Sequence, residues 1–264
     1  MKEILKRLKN NKFLIILFIL TDKTFLYLRI ILSRNDNSLI ANEIRKEGFF
    51  LVKDFLSTED CKALIEEFEK NSSQATPFEN DQRIFGIQHL SRKYREKILE
   101  SDLIQEVTSF YCGKNYKIQT LLASRIEYTN IAKYGSGGGL HRDSFASQLK
   151  AIIYLNDVNK DNGPLQYVRK SNNFMSLSEF LFKFGKRNRD EEEETLDANQ
   201  LETLKAKAGT LLFVDSRGMH KGKALSAGHR YSTTSYFISN LYFNSDNPIA
   251  ILDKSTLDYE AKNQ

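Results

Sequence analysis

From residue 117 onward the sequence is a series of short strand-like segments separated by turns. β-Branched and aromatic residues fill the segments, and turns such as Gly135–Gly139 and Asp161–Pro164 separate them. No helical pattern alternates with these segments or follows the glycine run, which excludes a doubly wound α/β fold and a dinucleotide-binding fingerprint. The pattern predicts strands at 117–123, 125–132, 149–155, 164–168, 210–214 and 230–238.

Helical patterns come before these strands. A short helix is predicted over 41–48, ended by Gly48, and a brief strand over 49–52. Ser57 with Asp60 is typical of a helix start, and a weaker helical pattern runs through 92–111. We therefore expect a mainly β fold with flanking helices, either a β-sandwich or a jelly roll.

A charged segment at 176–208 interrupts the strands. Basic side chains precede the acidic run Asp190–Glu194, and a polar helical pattern continues to Lys207. Two interpretations remain open for this predicted helical insertion. It is either a solvated surface segment or a lid over a pocket, since long excursions within compact domains often carry function.

Residues 1–35 carry eight basic and two acidic side chains, a net charge of +6, which leaves −1 for residues 36–264. Their apolar run 13–20 is too short to cross a bilayer, which needs about 20 residues, and no signal-type cleavage site follows it. One interpretation is a helix on an anionic membrane surface. The other is an arm packed on the core of a single domain over 36–264, and a transmembrane anchor is a weaker third.

The charge and the cysteines bound the functional class. A nucleic-acid-binding protein carries its basic stripe on the folded domain, whereas this domain is nearly neutral, so we expect no nucleic-acid partner. Cys61 and Cys112 cannot frame a disulfide-rich secreted fold. We expect a cytoplasmic protein, peripheral at the membrane surface if the arm binds lipid. The sequence leaves the oligomeric state open.

One cluster of residue types suggests metal chemistry. In an extended backbone His141 and Asp143 point the same way, and His220 follows an apolar strand later in the chain. Two imidazoles and one carboxylate on one side of a metal leave three positions open. That ligand set suits the oxygen chemistry of Fe(II).

A buried cation is expected beside this cluster. Arg230 opens a strand on which period two places Arg230, Ser232 and Thr234 on one side. A guanidinium with a neighbouring hydroxyl can hold a carboxylate through a charge-assisted pair. The arrangement suits a dicarboxylate that chelates iron at one end and is held at the other.

Over about residues 48–237 the chain resembles the phytanoyl-CoA dioxygenase family of Fe(II)/2-oxoglutarate oxygenases. The resemblance rests on several short motifs in a fixed order and spacing. They are Gly48–Val52 with Phe55–Ser57, Leu140–Asp143, Ile153–Asp157, Asn162–Leu165, and Ala208–Phe213 leading to His220 and Arg230.

The resemblance implies a double-stranded β-helix, a cupin-like jelly roll. It makes His141, Asp143 and His220 the Fe(II) ligands, with 2-oxoglutarate and molecular oxygen as cosubstrates. Arg230, with Ser232, would hold the distal carboxylate of 2-oxoglutarate. Halogenating relatives lack the carboxylate ligand, so Asp143 favours hydroxylation. Weaker candidates for cosubstrate contact are Tyr128 and Tyr154.

The resemblance has one gap. Where family members often follow the Asn-Gly-Pro-Leu turn with Pro-Gly-Ser-His, this chain has residues 167–172, Tyr-Val-Arg-Lys-Ser-Asn. The substrate is therefore expected only as a small molecule, or a lipid or lipid-linked saccharide if the arm meets a membrane. Two alternatives to an enzyme are a non-catalytic jelly-roll binding module and a membrane-surface interaction protein with a vestigial metal site.

Overall fold

A computed structural model describes residues 35–239 apart from 79, 115, 144–146, 174–195 and 197–199, together with positions 17, 20, 24, 28 and 31–33. The α-helices in the described part are α1 Asp36–Glu47, α2 Thr58–Lys70, α3 Ile87–Leu90, α4 Arg92–Tyr94 and α5 Asp102–Cys112. The strands there are β1 Phe49–Val52, β2 Thr76–Phe78, β3 Asp81–Phe85, β4 Lys117–Glu127, β5 Gln148–Tyr154, β6 Leu165–Val168, β7 Leu201–Leu204, β8 Leu211–Asp215, β9 His220–Gly222 and β10 His229–Ile238.

The first helix, strand and turn follow their local sequence. The side chain of Asn35 accepts a hydrogen bond from Ser38 N and starts α1 five residues before the predicted position. Gly48 ends the helix at φ 95°, a left-handed conformation that favours glycine. β1 follows at once, so the predicted stop and strand are confirmed.

The next two predicted helices differ in outcome. Ser57 caps α2 by accepting from Asp60 N, and one face of α2 is buried through Cys61, Leu64 and Phe68. The single helix predicted near 92–111 is wrong in detail, because it divides into α4, a short π-helix at Arg95–Leu99 and α5. α5 has its own cap, in which Ser101 accepts from Ile104 N.

The strands form two antiparallel sheets. The large sheet has the order β1-β8-β5-β10-β4-β3-β2, and the small sheet has the order β7-β6-β9. β10 lies between β5 and β4, so Ser232 is opposite both Tyr154 and Ser124. This row of side chains faces the small sheet.

The two faces of the large sheet bury different residues. On the outer face, side chains such as Leu121, Ile153 and Phe213 pack with the helices in the main core. On the inner face a second cluster joins the large sheet to the small one, and it includes Ile152, Tyr154, Tyr167, Leu204 and Leu212. This two-layer arrangement, with helices outside, is the predicted mainly β jelly roll.

One strand prediction and one helix prediction in the β region need correction. The segments predicted at 117–123 and 125–132 form one strand, β4, which ends at Glu127. The helical pattern predicted through Lys207 is wrong for Leu201–Leu204, because these residues pair with β6 as β7. β6 supplies the partner that the local sequence cannot reveal. Most of the predicted insertion at 176–208 lies outside the described residues.

A few positions of the basic arm are described, and six of them, namely 17, 20, 24, 28, 31 and 32, are helical. Leu17, Leu20, Leu28, Ile31 and Leu32 are between 51% and 81% exposed. Among the described residues, no helix has both the length and the apolar character needed to cross a bilayer.

Candidate metal centre

Two distant segments meet between the sheets. His141 and Asp143 lie in the connection from β4 to β5, and His220 is the first residue of β9. His141 N donates to His220 O at 3.0 Å, and His220 N donates back to His141 O at 2.9 Å. Asp143 N donates to Ser216 O at 3.0 Å. Backbone pairing alone therefore brings the three predicted ligands together.

The three side chains converge on one point. One ligand atom from each of His141, Asp143 and His220 can be chosen so that all lie within 4.8 Å of one another. Asp143 Oδ1 lies 3.1 Å from His141 Nε2, and Oδ2 lies 3.6 Å from His220 Nε2. Both imidazoles are buried, and the carboxylate is 13% exposed.

The backbone sets the tautomer of each imidazole. His141 Nδ1 lies 2.7 Å from Gly139 O, and His220 Nδ1 lies 2.9 Å from Gly218 O. A carbonyl oxygen only accepts, so Nδ1 carries the proton and Nε2 of the neutral ring carries a lone pair. Two such nitrogens and a facing carboxylate form a set of electron donors that suits a divalent metal ion. This is how protein scaffolds orient histidine ligands of a metal.

The charges of the cluster fit this view. Burial alone would raise the pKa of Asp143, but the charge of Lys150 first, and then the neighbouring His141 and His220 side chains, hold it well below its usual value. Burial and then Lys150 lower the pKa of His220 to about 4, although Asp143 opposes them. The cluster at neutral pH is an ionised carboxylate facing an uncharged His220 imidazole, which is the state that binds a metal ion.

Arg230, near the start of β10, is also buried, on the face of the large sheet that is turned towards the small sheet. One terminal nitrogen, Nη1, donates to Gly163 O, whereas Nε has no hydrogen-bond partner among the described residues. Burial lowers the pKa of Arg230, which nonetheless stays charged at neutral pH. Ser232, two residues along the same face, lies 3.0 Å from Ser124 between their hydroxyl oxygens. A buried guanidinium with an unused donor fits a carboxylate ligand.

The other predicted contacts are placed differently. The Tyr154 hydroxyl donates to Leu204 O at 3.2 Å and accepts from Leu165 N at 2.9 Å, so it joins β5 to the small sheet. Tyr128 lies just beyond the end of β4 and is 47% exposed, so the structure does not bring it among the buried groups. His229 is exposed and packs against the Tyr231 ring, on the opposite face of β10 from Arg230.

Sequence reasoning missed Lys150. It lies on β5 with its side chain 10% exposed, contacts Asp143 Oδ2, and places Nζ 3.1 Å from His220 Nε2. The signal was its position within a strongly apolar strand. At period two, Lys150 shares the inner face with Ile152 and Tyr154.

The residues where the chain departs from the usual family pattern support His220. The Tyr167 hydroxyl donates to Asp215 O at 2.8 Å, and Ser171 Oγ accepts from Met219 N at 2.8 Å. Asn172 Nδ2 donates to Asp215 Oδ2 at 3.0 Å. The unusual residues at 167–172 therefore hold the segment that leads into His220.

Asp215 also forms a buried pair with Arg217. Arg217 Nη2 lies 2.8 Å from Asp215 Oδ2 and also donates to Tyr111 Oη at 2.9 Å. Burial alone would raise the pKa of Asp215, but Arg217 outweighs it and lowers that pKa. Breaking a buried pair leaves an uncompensated charge, so this pair fixes the turn before His220 to α5.

The sequence profile of the phytanoyl-CoA dioxygenase (PhyH) family matches residues 44–232. The chain belongs to this family. No curated protein matches the sequence significantly. The matched region contains all three converging side chains together with Lys150, Tyr167 and Arg230, so the family's core includes the site described above.

Solved structures share the fold at low sequence identity. The epimerase SnoN, in complex with Fe3+, alpha ketoglutarate and nogalamycin RO, is 14% identical with a TM-score of 0.63, over 82% of this chain and 93% of that one. HygX from Streptomyces hygroscopicus, with nickel and 2-oxoglutarate bound, is 15% identical with a TM-score of 0.60, over 78% and 88%. EctD from S. alaskensis, with bound Fe, is 14% identical with a TM-score of 0.62, over 80% of each chain. The chain thus shares the jelly-roll fold of these three structures, each of which contains a bound metal.

Proposed function

We propose that this protein is an Fe(II)- and 2-oxoglutarate-dependent dioxygenase that hydroxylates a small molecule. The observation that carries the proposal is the convergence of His141, Asp143 and His220. Family membership and the metal and 2-oxoglutarate bound by the structural neighbours support it. A non-catalytic module with a vestigial site would not need all three ligands and a buried arginine.

Each residue has a distinct role in this proposal. His141 and His220 would offer Nε2, and Asp143 would offer a carboxylate oxygen, to the metal. Arg230 would bind the distal carboxylate of 2-oxoglutarate, with Ser232 beside it. Bound Fe(II) would supply oxygen activation coupled to decarboxylation of 2-oxoglutarate to succinate. The protein orients both substrates and keeps water from the buried centre.

We propose hydroxylation as the reaction type. The structural neighbours suggest two other reactions from which the test must distinguish it. Two solved neighbours are described as an epimerase and a carbocyclase. The test is succinate formation with Fe(II), oxygen and 2-oxoglutarate, screened over candidate substrates, with mass analysis of the product. A gain of one oxygen atom supports hydroxylation. A product of unchanged mass indicates epimerisation, and a loss of two hydrogens indicates ring closure. No succinate above the Asp143→Ala background with any substrate would refute the proposal.

We also propose that the basic arm binds an anionic membrane surface, which would make the protein cytoplasmic and peripheral. The exposed apolar positions Leu17, Leu20, Leu28 and Ile31 support this, because an arm packed on the core would bury them. The +6 charge of residues 1–35 complements anionic lipid. A lipid or a lipid-linked saccharide is then the substrate class to screen first.

A further inference from the structure

Lys150 is a buried lysine directed at the candidate metal ligands. Its ammonium contacts Asp143 Oδ2 and lies 3.1 Å from His220 Nε2. The same Nζ lies 5.3 Å from the centroid of the Tyr236 ring, on the neighbouring strand β10. Lysine is rarely buried unless it is paired, and here both polar partners belong to the metal centre.

The two oxygens of Asp143 have different surroundings. Oδ1 lies 3.1 Å from His141 Nε2, whereas Oδ2 is the oxygen that Lys150 contacts. An ammonium has three hydrogen-bond donors and no lone pair, so Lys150 cannot replace a metal ligand. A metal ion and Lys150 also cannot share the lone pair of His220 Nε2. With a metal bound, the contact that Lys150 can keep is the one with Asp143 Oδ2.

The number of oxygens that Asp143 offers decides how many positions stay open. Two imidazoles and a carboxylate bound through one oxygen leave three positions, which a chelating 2-oxo acid and oxygen fill. A carboxylate bound through both oxygens would occupy one of these positions. A cation held on Oδ2 opposes that second bond, because a metal ion would have to displace it.

We propose that Lys150 is a positioning residue that holds Asp143 Oδ2 and so keeps Asp143 a single-oxygen ligand. The open position is thereby reserved for 2-oxoglutarate or oxygen. This proposal rests on the proposed Fe(II)/2-oxoglutarate function. It assigns to Lys150 a role in ligand geometry that acts through Asp143.

The test compares Lys150→Met and Lys150→Arg with the wild-type protein. Lys207→Met is the matched control, because Lys207 pairs with Asp157 at 2.6 Å on the surface, with 83% of its side chain exposed. Two properties are measured without turnover. One is anaerobic 2-oxoglutarate affinity, from the charge-transfer absorption of the Fe(II) complex. The other is the gap between the two carboxylate stretching bands of Asp143. It is read from the difference between the zinc-loaded and zinc-free spectra of protein with 13C-labelled aspartate.

Lys150→Met is expected to keep its zinc affinity or gain some, because one nearby cation is removed. It should bind 2-oxoglutarate at least tenfold more weakly and show the narrower band gap of a chelating carboxylate. Lys150→Arg should restore part of both properties, and Lys207→Met should match the wild type.

Three results would overturn the proposal. The first is a wild-type Asp143 carboxylate that already binds zinc through both oxygens. This result does not depend on the folding of any variant. The second is Lys150→Met with weak 2-oxoglutarate binding but an unchanged band gap, since Lys150 would then act on the cosubstrate directly. The third is an unchanged value of both properties in Lys150→Met. A wild-type protein that binds metal but no 2-oxoglutarate would instead refute the proposed function.

Discussion

The phenol ring of Tyr167 lies nearly parallel to the imidazole of His220, with an interplanar angle of 15° and ring centroids 6.3 Å apart. The backbone closes tightly around this ring. A Cβ atom added to Gly218 would lie 1.7 Å from the Tyr167 hydroxyl oxygen. The tyrosine thus fixes the turn that precedes His220, and it does so from the small sheet.

Tyr167→Phe tests the hydroxyl alone. The change removes the hydrogen bond to Asp215 O and keeps the ring, so the free energy of unfolding should fall by about 0.5–1.5 kcal/mol. Metal affinity should stay near the wild-type value. Gly218→Ala should lower both quantities, because the turn must move away from the ring. Urea unfolding and zinc titration measure the two effects, and normal zinc affinity in Gly218→Ala would contradict this role of the turn.

The three proposed metal ligands are tested one at a time. His141→Ala, Asp143→Ala and His220→Ala should each lower Fe(II) affinity severely, because each removes one of three converging ligands. His229→Ala is the control, since this histidine is exposed and faces away from Arg230. Calorimetric titration of the apoprotein measures the affinities. Loss of binding in His229→Ala with retention in His220→Ala would reverse the assignment.

Asp143→Gly separates iron binding from oxidation. It keeps both imidazoles and opens a coordination position, so some metal should remain while hydroxylation fails. Full hydroxylating activity in this variant would show that the carboxylate is dispensable. Product analysis by mass spectrometry with 2-oxoglutarate present distinguishes the two results.

Arg230→Ala should weaken 2-oxoglutarate binding far more than metal binding. A carboxylate left without its buried partner costs roughly 2–5 kcal/mol. Arg230→Lys should rescue binding only in part, since an ammonium lacks the planar two-nitrogen fork. Anaerobic 2-oxoglutarate titration of the Fe(II) protein measures the effect. Equal losses of metal and 2-oxoglutarate binding would mean that Arg230 supports the fold.

The arm is tested with vesicles. A shortened chain that begins at Ser33 keeps Asn35, the cap of α1. It should stay soluble, bind metal and lose binding to anionic vesicles. The full chain should release vesicles partly as salt rises, because the Debye length falls to about 8 Å at physiological ionic strength. The buried apolar contact is not screened and should keep some affinity.

Substitutions within the full chain sharpen this test. Leu20→Gln with Leu28→Gln should weaken vesicle binding without changing the charge. Leu39→Gln with Leu90→Gln is the control, because both leucines are exposed elsewhere on the described surface. Aggregation or metal loss in the shortened chain would show that the arm belongs to the core.

Asn172 and its neighbour Asn173 form a matched pair. Asn172 is buried and donates to Asp215 Oδ2 and to Arg45 O, both at 3.0 Å. Asn173 is exposed and donates to Lys46 O at 2.9 Å. Asn172→Ala should lower the free energy of unfolding by about 1–3 kcal/mol, because it removes the buried amide that donates to Arg45 O and Asp215 Oδ2. Asn173→Ala should cost less than about 0.5 kcal/mol, and equal costs would contradict the role of Asn172.

The parts of the fold that local sequence could predict are those with local causes. The Asn35, Ser57 and Gly48 caps act within a few residues, and the helices or turns they mark were predicted at least in part. β2, β3, β7 and β9 were not predicted. These strands have three to five residues each, and β7 and β9 pair with β6, which is distant from them in the chain.

The same distinction applies to the site. The H-x-D spacing and the following histidine made the three converging residues predictable as a group. Lys150 and Tyr167 were missed, because their contacts with Asp143 and His220 depend on which face of each strand turns inward. Tyr128 was a candidate for cosubstrate contact within a predicted strand over 125–132, but the observed strand β4 ends at Glu127 and Tyr128 lies exposed beyond it.

The strand that carries Arg230 and Ser232 is the last of the described strands, yet it lies in the middle of the large sheet. During synthesis the facing edges of β4 and β5 therefore stay unpaired until β10 has left the ribosome. Unpaired edges invite pairing with other chains. A ribosome-bound chain that stops before residue 229 should be cleaved by a protease between β4 and β5. A chain that includes β10 should resist this cleavage.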